Sequence, residues 1–148
     1  MGEVLLDSEF PGTTDGVRSA LAAVESALTA DGAASGAAPA AELVLAEVLN
    51  NVVEHALAEA EQGSRFGLRL SAGPETIAVD VRDRGAPMPG GMAPAGKRPD
   101  VNVDLADLPE GGFGWYLIRE IAQDLHYARE NGENHLAFWL PLAEPAGA

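Results

Sequence analysis

Apolar residues recur along the chain with two different periods, and the switches between them divide it into elements. Val4-Leu5-Leu6, set between acidic residues, reads as a short strand that Pro11-Gly12 closes. Thr13, Thr14 and Asp15 are N-cap candidates for a helix carrying Val17, Leu21, Val24 and Leu28 at helical spacing. The small residues of 31–38 predict a loop, and Pro39 suits the first turn of a second helix, expected to run to about Gln62-Gly63. The apolar stripe of that helix is Leu45, Leu49, Val52 and Ala56, broadened by Val48 and Val53.

The period then changes from helical to alternating. Residues 66–72 and 76–82, joined by Gly73-Pro74, place Phe66, Leu68, Leu70 and Ile77, Val79, Val81 on every second position, the mark of half-buried strands. Residues 84–110 carry four glycines and five prolines and no sustained period. A loop of that length inside a domain is uncommon and points to a functional lid or a disordered segment. Helical spacing resumes at Gly112, with Leu117, Ile118, Ile121 and Leu125 on one face. Residues 126–130 and 135–140 read as a hairpin around Asn131-Gly132, a strong turn pair. Strand pairs with tight turns, separated by helices, predict a mostly antiparallel or mixed sheet with the helices on one face. No internal repeat or boundary divides residues 1–148, so a single domain is expected.

Composition narrows the function classes. A chain of 148 residues buries roughly two-thirds of its unfolded surface on folding. It has no cysteine, which removes disulfide frameworks, zinc knuckles and iron–sulfur sites. Nine Lys and Arg against 23 Asp and Glu give a net charge of −14 and a pI near 4.3. Such a field repels phosphate backbones and anionic lipid, so neither direct nucleic-acid binding nor membrane binding is expected. A local basic spot would still hold one nucleotide. No apolar run approaches the roughly 18 residues of a membrane span, and the acidic N-terminus is no signal peptide, so the expected location is cytoplasmic.

Two glycine-rich matches fail on context. The run from Gly91 to Lys97 fits most of a P-loop, but Arg98 stands where Ser or Thr must hold magnesium, and Pro99 follows instead of a helix. Gly112-Phe-Gly114 lacks the third glycine of a dinucleotide fingerprint and the strand before it. It does open a helix with exposed N–H groups, which is either a phosphate cradle or a plain loop-to-helix junction. Glu47, Asn51, Glu54 and His55 share one side of the second helix, either as a solvated face or as a buried polar stripe in need of partners. Asp83 and Gly85, in VRDRGAP, end a strand where the long loop begins, and both suit an ordinary turn. The histidines at 55, 126 and 135 show no metal-ligand spacing.

Together the three sites resemble a known family. Glu47-x3-Asn51-x3-His55-Ala56, Asp83-x-Gly85-x-Pro87 and Gly112-x-Gly114-x2-Leu117-Ile118 are similar in type, order and spacing to the three boxes of the GHKL ATP-binding superfamily. The wording EVLNNVVEHA and EGGFGWYLIREIAQDL, within a short chain, resembles the bacterial anti-sigma-factor serine/threonine kinases of partner-switching systems. The likeness spans roughly residues 3–142. Arg84 departs from it, standing where the related kinases commonly carry an acidic residue.

The resemblance implies an α+β fold of the GHKL (Bergerat) type. That is a two-layer α/β sandwich with a mixed, largely antiparallel sheet, helices on one face and a long ATP lid. It implies ATP and Mg²⁺ as cofactors, with Asn51 as the metal ligand and Glu47 as the catalytic base. Asp83 and Gly85 would meet adenine, Gly112 and Gly114 the phosphates, and His55, Lys97 and Arg98 would complete the ATP-binding set. The implied partners are an anti-anti-sigma protein, whose serine is phosphorylated, and a sigma factor, with the kinase itself a homodimer. The alternatives are a nucleotide-gated binding module without catalysis and a detached histidine-kinase-type ATPase domain.

Overall fold

The computed structural model describes residues 2–32, 34–94 and 113–142. Strand β1 (Glu3–Pro11) leads into helix α1 (Thr14–Ala30), and α2 (Ala38–Asn51) follows. Strands β2 (Arg65–Ala72) and β3 (Thr76–Asp83) come next, then α3 (Phe113–Ile121) and the hairpin β4 (Gln123–Glu130) and β5 (Glu133–Pro141). The sheet order is β1-β2-β3-β5-β4, and every adjacent pair is antiparallel. The sheet expected to be mixed and largely antiparallel is therefore antiparallel in each described pair.

Alternation along the strands decides which side of the sheet is covered. Phe66, Leu68, Leu70, Ile77, Val79, Val81, Leu136, Phe138 and Leu140 are all buried. They pack with Val24 and Leu28 of α1, Leu45 and Leu49 of α2 and Ile118 of α3 in one core. Removing one such side chain from water contributes about 1.5–3 kcal/mol, so this single face holds the two layers together. The other face is polar. There Arg82 approaches Asp7 at 3.4 Å and Arg65 approaches Glu9 at 3.6 Å, while Trp139 stays 48% exposed.

Cross-strand register lays the inward residues in rows. Leu70, Val79 and Phe138 form one row; Leu68, Val81, Leu136 and Tyr127 form the next. The following row, at the end where β3 stops, is Phe66, Asp83, Asn134 and Arg129. An apolar column thus ends in polar side chains without a change of phase. That end of the sheet is where the site lies.

Some boundaries fall where expected and several differ. Thr13 is the N-cap of α1, its Oγ1 accepting from the Gly16 N–H at 3.0 Å. β1 is nine residues long, more than the apolar run Val4 to Leu6 indicated, because pairing with β2 continues through its acidic residues. The second helix stops well short of Gln62-Gly63. It is α-helical to Asn51, then widens into a π turn at Val52–Ala56, which the Leu57 N–H closes onto the Val52 carbonyl at 2.8 Å. Leu125 is not on the third helix, which ends at Ile121, but half-buried on β4, which a register irregularity between Gln123 and His126 lets begin early. The hairpin turn falls at Asn131-Gly132 as expected, with φ of 53° and 78°.

The layered core makes a contrast within α2 testable. Leu49→Ala, fully buried, should cost about 2–5 kcal/mol of unfolding free energy in urea titrations. Leu43→Ala, 48% exposed on the same helix, should stay within about 0.5 kcal/mol of wild type.

Candidate functional site

Asp83 is the last residue of β3 and points inward, as its place in the apolar phase requires, yet it is a carboxylate at 7% exposure. Burial of such a group demands donors. Two are supplied, both to Oδ1: the Gly85 N–H at 2.8 Å and the Asn134 Nδ2 at 2.9 Å. Oδ2 has no partner among the described residues. Burial pushes the Asp83 carboxyl above its ordinary range, against the opposing pull of the Asn134 and Gly85 hydrogen bonds and the Arg129 charge, with Glu133 adding slightly to the rise.

The chain beyond Asp83 is held from three sides. The Ala86 N–H donates to the Ala56 carbonyl at 2.8 Å, so the π turn at the end of α2 and the turn after β3 share a hydrogen bond. Gly85 makes that approach possible, since a Cβ there would overlap the Ala56 carbonyl oxygen. From β5, Asn134 Nδ2 also donates to the Ala86 carbonyl at 2.9 Å, and from β4 Arg129 Nη1 donates to the Gly85 carbonyl at 2.9 Å. The Tyr127 hydroxyl accepts from the Met88 N–H at 3.0 Å and donates to Asn134 Oδ1.

These elements enclose a cavity of about 490 Å³ with a mostly apolar wall. Val81 and Leu136 form its floor, Val48, Asn51 and Val52 one side, Ala86 to Pro89 another, and Trp115 of α3 closes it. That volume suits a ligand of purine size or larger, and the few polar groups on the wall fix how it sits.

Of the residues singled out in the sequence, Asp83, Asn51 and His55 line this cavity together, and Gly85 shapes its corner. Asn51 is half-buried; His55, within the π turn beside Glu54, is exposed at the rim. Glu47 lies one helical turn before Asn51, half-buried and off the cavity wall. It is instead in close contact with α3, where a Cβ on Gly114 would stand 2.5 Å from Glu47 Oε2. Lys97, Arg98 and Gly112, with most of the expected lid, lie outside the described residues.

A buried acid at a strand end, a glycine turn against the preceding helix and an apolar cavity between helices and sheet agree with the comparison to known families. The family model of the histidine kinase-like ATPase domain matches residues 10–139. The chain belongs to that family. It is an ATP-binding domain of the GHKL superfamily, and its antiparallel sheet under one layer of helices is the sandwich that membership entails. A search of curated proteins finds no match to the chain. Among the described residues no helix of this ATPase domain is long and apolar enough to cross a membrane.

Four residues at or beside this cavity escaped the sequence reading: Asn134, Tyr127, Arg129 and Trp115. A signal existed for Asn134, which breaks the inward phase of Leu136, Phe138 and Leu140 as the one polar member. Tyr127 and Arg129 gave none without the register.

Because burial raises the Asp83 pKa, the folded domain binds a proton more tightly there than the unfolded chain does. Asp83 therefore costs stability above its raised pKa, and the cost fades as pH falls from that pKa toward the ordinary value of 3.8. Asp83→Asn keeps an acceptor for Gly85 and Asn134 without the charge. Its nucleotide-free Tm should exceed the wild-type value at neutral pH, and the gap should close on acidification, as read by calorimetric scans at several pH values.

Proposed function

We propose that this ATPase domain is an anti-sigma-factor-type serine/threonine protein kinase, which transfers the γ-phosphoryl group of ATP to a serine of an anti-anti-sigma partner. The observation that supports catalysis is the Glu47 carboxylate, lodged against Gly114 at the start of α3 and one turn before Asn51. A pure nucleotide binder has no chemical need for a base there. In this reading Asp83 Oδ2 accepts a hydrogen bond from the exocyclic amino group of adenine. The backbone at Gly114 and Gly112, with Lys97 and Arg98, serves the phosphates, and His55 stands at the cavity rim.

Asn51 fits magnesium through its amide oxygen, a hard ligand for an ion that keeps several waters of its own. The metal would supply neutralisation of phosphate charge. Glu47 takes the proton of the attacking hydroxyl as the new O–P bond forms and the bond to the leaving ADP breaks. The unphosphorylated partner competes with a sigma factor for the same kinase, and the kinase acts in the cytoplasm as a homodimer. The edge strand β1, with its row of unpaired backbone groups, favours pairing through the sheet.

A base in this position contributes about 10²–10⁴-fold to rate but little to nucleotide affinity. Glu47→Ala should keep ATP binding within a few-fold yet lose that factor in phosphorylation of the partner serine. Asn51→Ala should lose magnesium-dependent binding and phosphorylation together. Radiolabel transfer to partners captured from native lysate with Mg-ATP provides the readout. A wild-type rate in Glu47→Ala removes the base role. Capture of a partner that is never phosphorylated leaves a binding module instead.

A further inference from the structure

Asn134 occupies the inward row beside Asp83 at 4% exposure, and its amide could present either oxygen or nitrogen to the acid, since the two ends have the same shape. Its neighbours remove that choice. Arg129 Nη1 lies 2.8 Å from one end, and a guanidinium only donates, so that end must be the oxygen. The Tyr127 hydroxyl meets the same end. It already accepts from the Met88 N–H, and with that end of the amide fixed as oxygen its own proton goes to Asn134. Arg129, with Tyr127 donating to the same oxygen, therefore turns Nδ2 toward Asp83 Oδ1 at 2.9 Å, with its second hydrogen on the Ala86 carbonyl at 2.9 Å.

That orientation dictates what Asp83 has left to offer. Oδ1 is occupied by two N–H donors, so it neither carries a proton nor meets a ligand readily. We infer that Asn134 is a positioning residue for base recognition, with its amide locked by Tyr127 and Arg129, so that Asp83 presents Oδ2 to the cavity as an acceptor and selects bases bearing an exocyclic amino group. This rests on the reading that Asp83 meets the base. It extends that reading to three residues on β4 and β5, of which Arg129 does not itself line the cavity and reaches it through Asn134. A carbonyl-bearing base at the same point would set its oxygen against the oxygen of the ionised Asp83 carboxylate.

The test compares Mg-ATP with the triphosphate of purine riboside, which lacks only the 6-amino group, by calorimetric titration of the full chain. A hydrogen bond to a charged acceptor predicts a wild-type preference for ATP of about tenfold or more. Asn134→Asp keeps the size and the Arg129 pairing but faces Asp83 Oδ1 with an oxygen. The preference should collapse toward unity, chiefly through lost ATP affinity. Tyr127→Phe, which removes one of the two locks and keeps the ring, should reduce the preference in part, and it decides the matter should Asn134→Asp fail to fold.

A purely structural Asn134 would weaken both nucleotides by the same factor and leave the ratio intact, which overturns the inference. An intact ratio in Asn134→Asp beside a lost one in Asp83→Asn overturns the inference and leaves the role of Asp83 standing. Equal binding of the two nucleotides by the wild type removes the role of Asp83 and the inference with it.

Discussion

The hydrogen bonds from the Gly85 N–H and the Asn134 amide to Asp83 Oδ1 keep a carboxylate buried at the end of an otherwise apolar column. An ion in that position loses most of its hydration, and the raised pKa of Asp83 records the loss. Much of the surrounding geometry supplies donors for it or anchors the chain that supplies them. Asn134 needs Tyr127 and Arg129 to face the right way, and Gly85 needs the Ala56 and Arg129 contacts to hold its N–H in place. Natural binding sites often carry such a local cost to stability because the same group, once a ligand supplies the missing donor, becomes the point of recognition.

The π turn gives this acid its link to the helical layer. A helix continued to residue 60 would have committed the Ala56 carbonyl to its own ladder. Because the helix ends with the π turn at Ala56, that carbonyl accepts from Ala86, so the end of α2 and the end of β3 are fixed to each other. Asn51 is the last residue of α2 before the turn and lines the same cavity as Asp83. One backbone contact thus sets the span between the Asp83 end of the cavity and the side chain proposed for the metal. Gly114 does the corresponding work for α3, its missing Cβ letting the Glu47 carboxylate lie against the helix.

The strands were legible because alternation in Phe66 to Leu70 and Ile77 to Val81 is decided by burial on one face, which a local window captures. Helix ends were not. The apolar and alanine-rich pattern continues past Asn51 toward Gln62, whereas the helix ends in a π turn whose Ala56 carbonyl accepts from Ala86, a partner some thirty residues further on that no local pattern carries. Leu125 failed for a similar reason, since helical spacing from Leu117 runs on into a strand that only pairing with β5 defines. Around the cavity, Asp83, Gly85 and Asn51 were readable as short motifs, whereas Tyr127 and Arg129 come beside them only through the register of the hairpin. Asn134 was readable in principle as a polar residue in an apolar phase.

The central claim is that a buried acceptor, held fixed before any ligand arrives, gives this ATPase domain its choice of base. Calorimetric titration of the wild-type chain with Mg-ATP and with Mg-GTP tests it most directly, because guanine presents a carbonyl where adenine presents an amino group. The account predicts that ATP binds tighter by about tenfold or more. Equal affinity for the two nucleotides would contradict it.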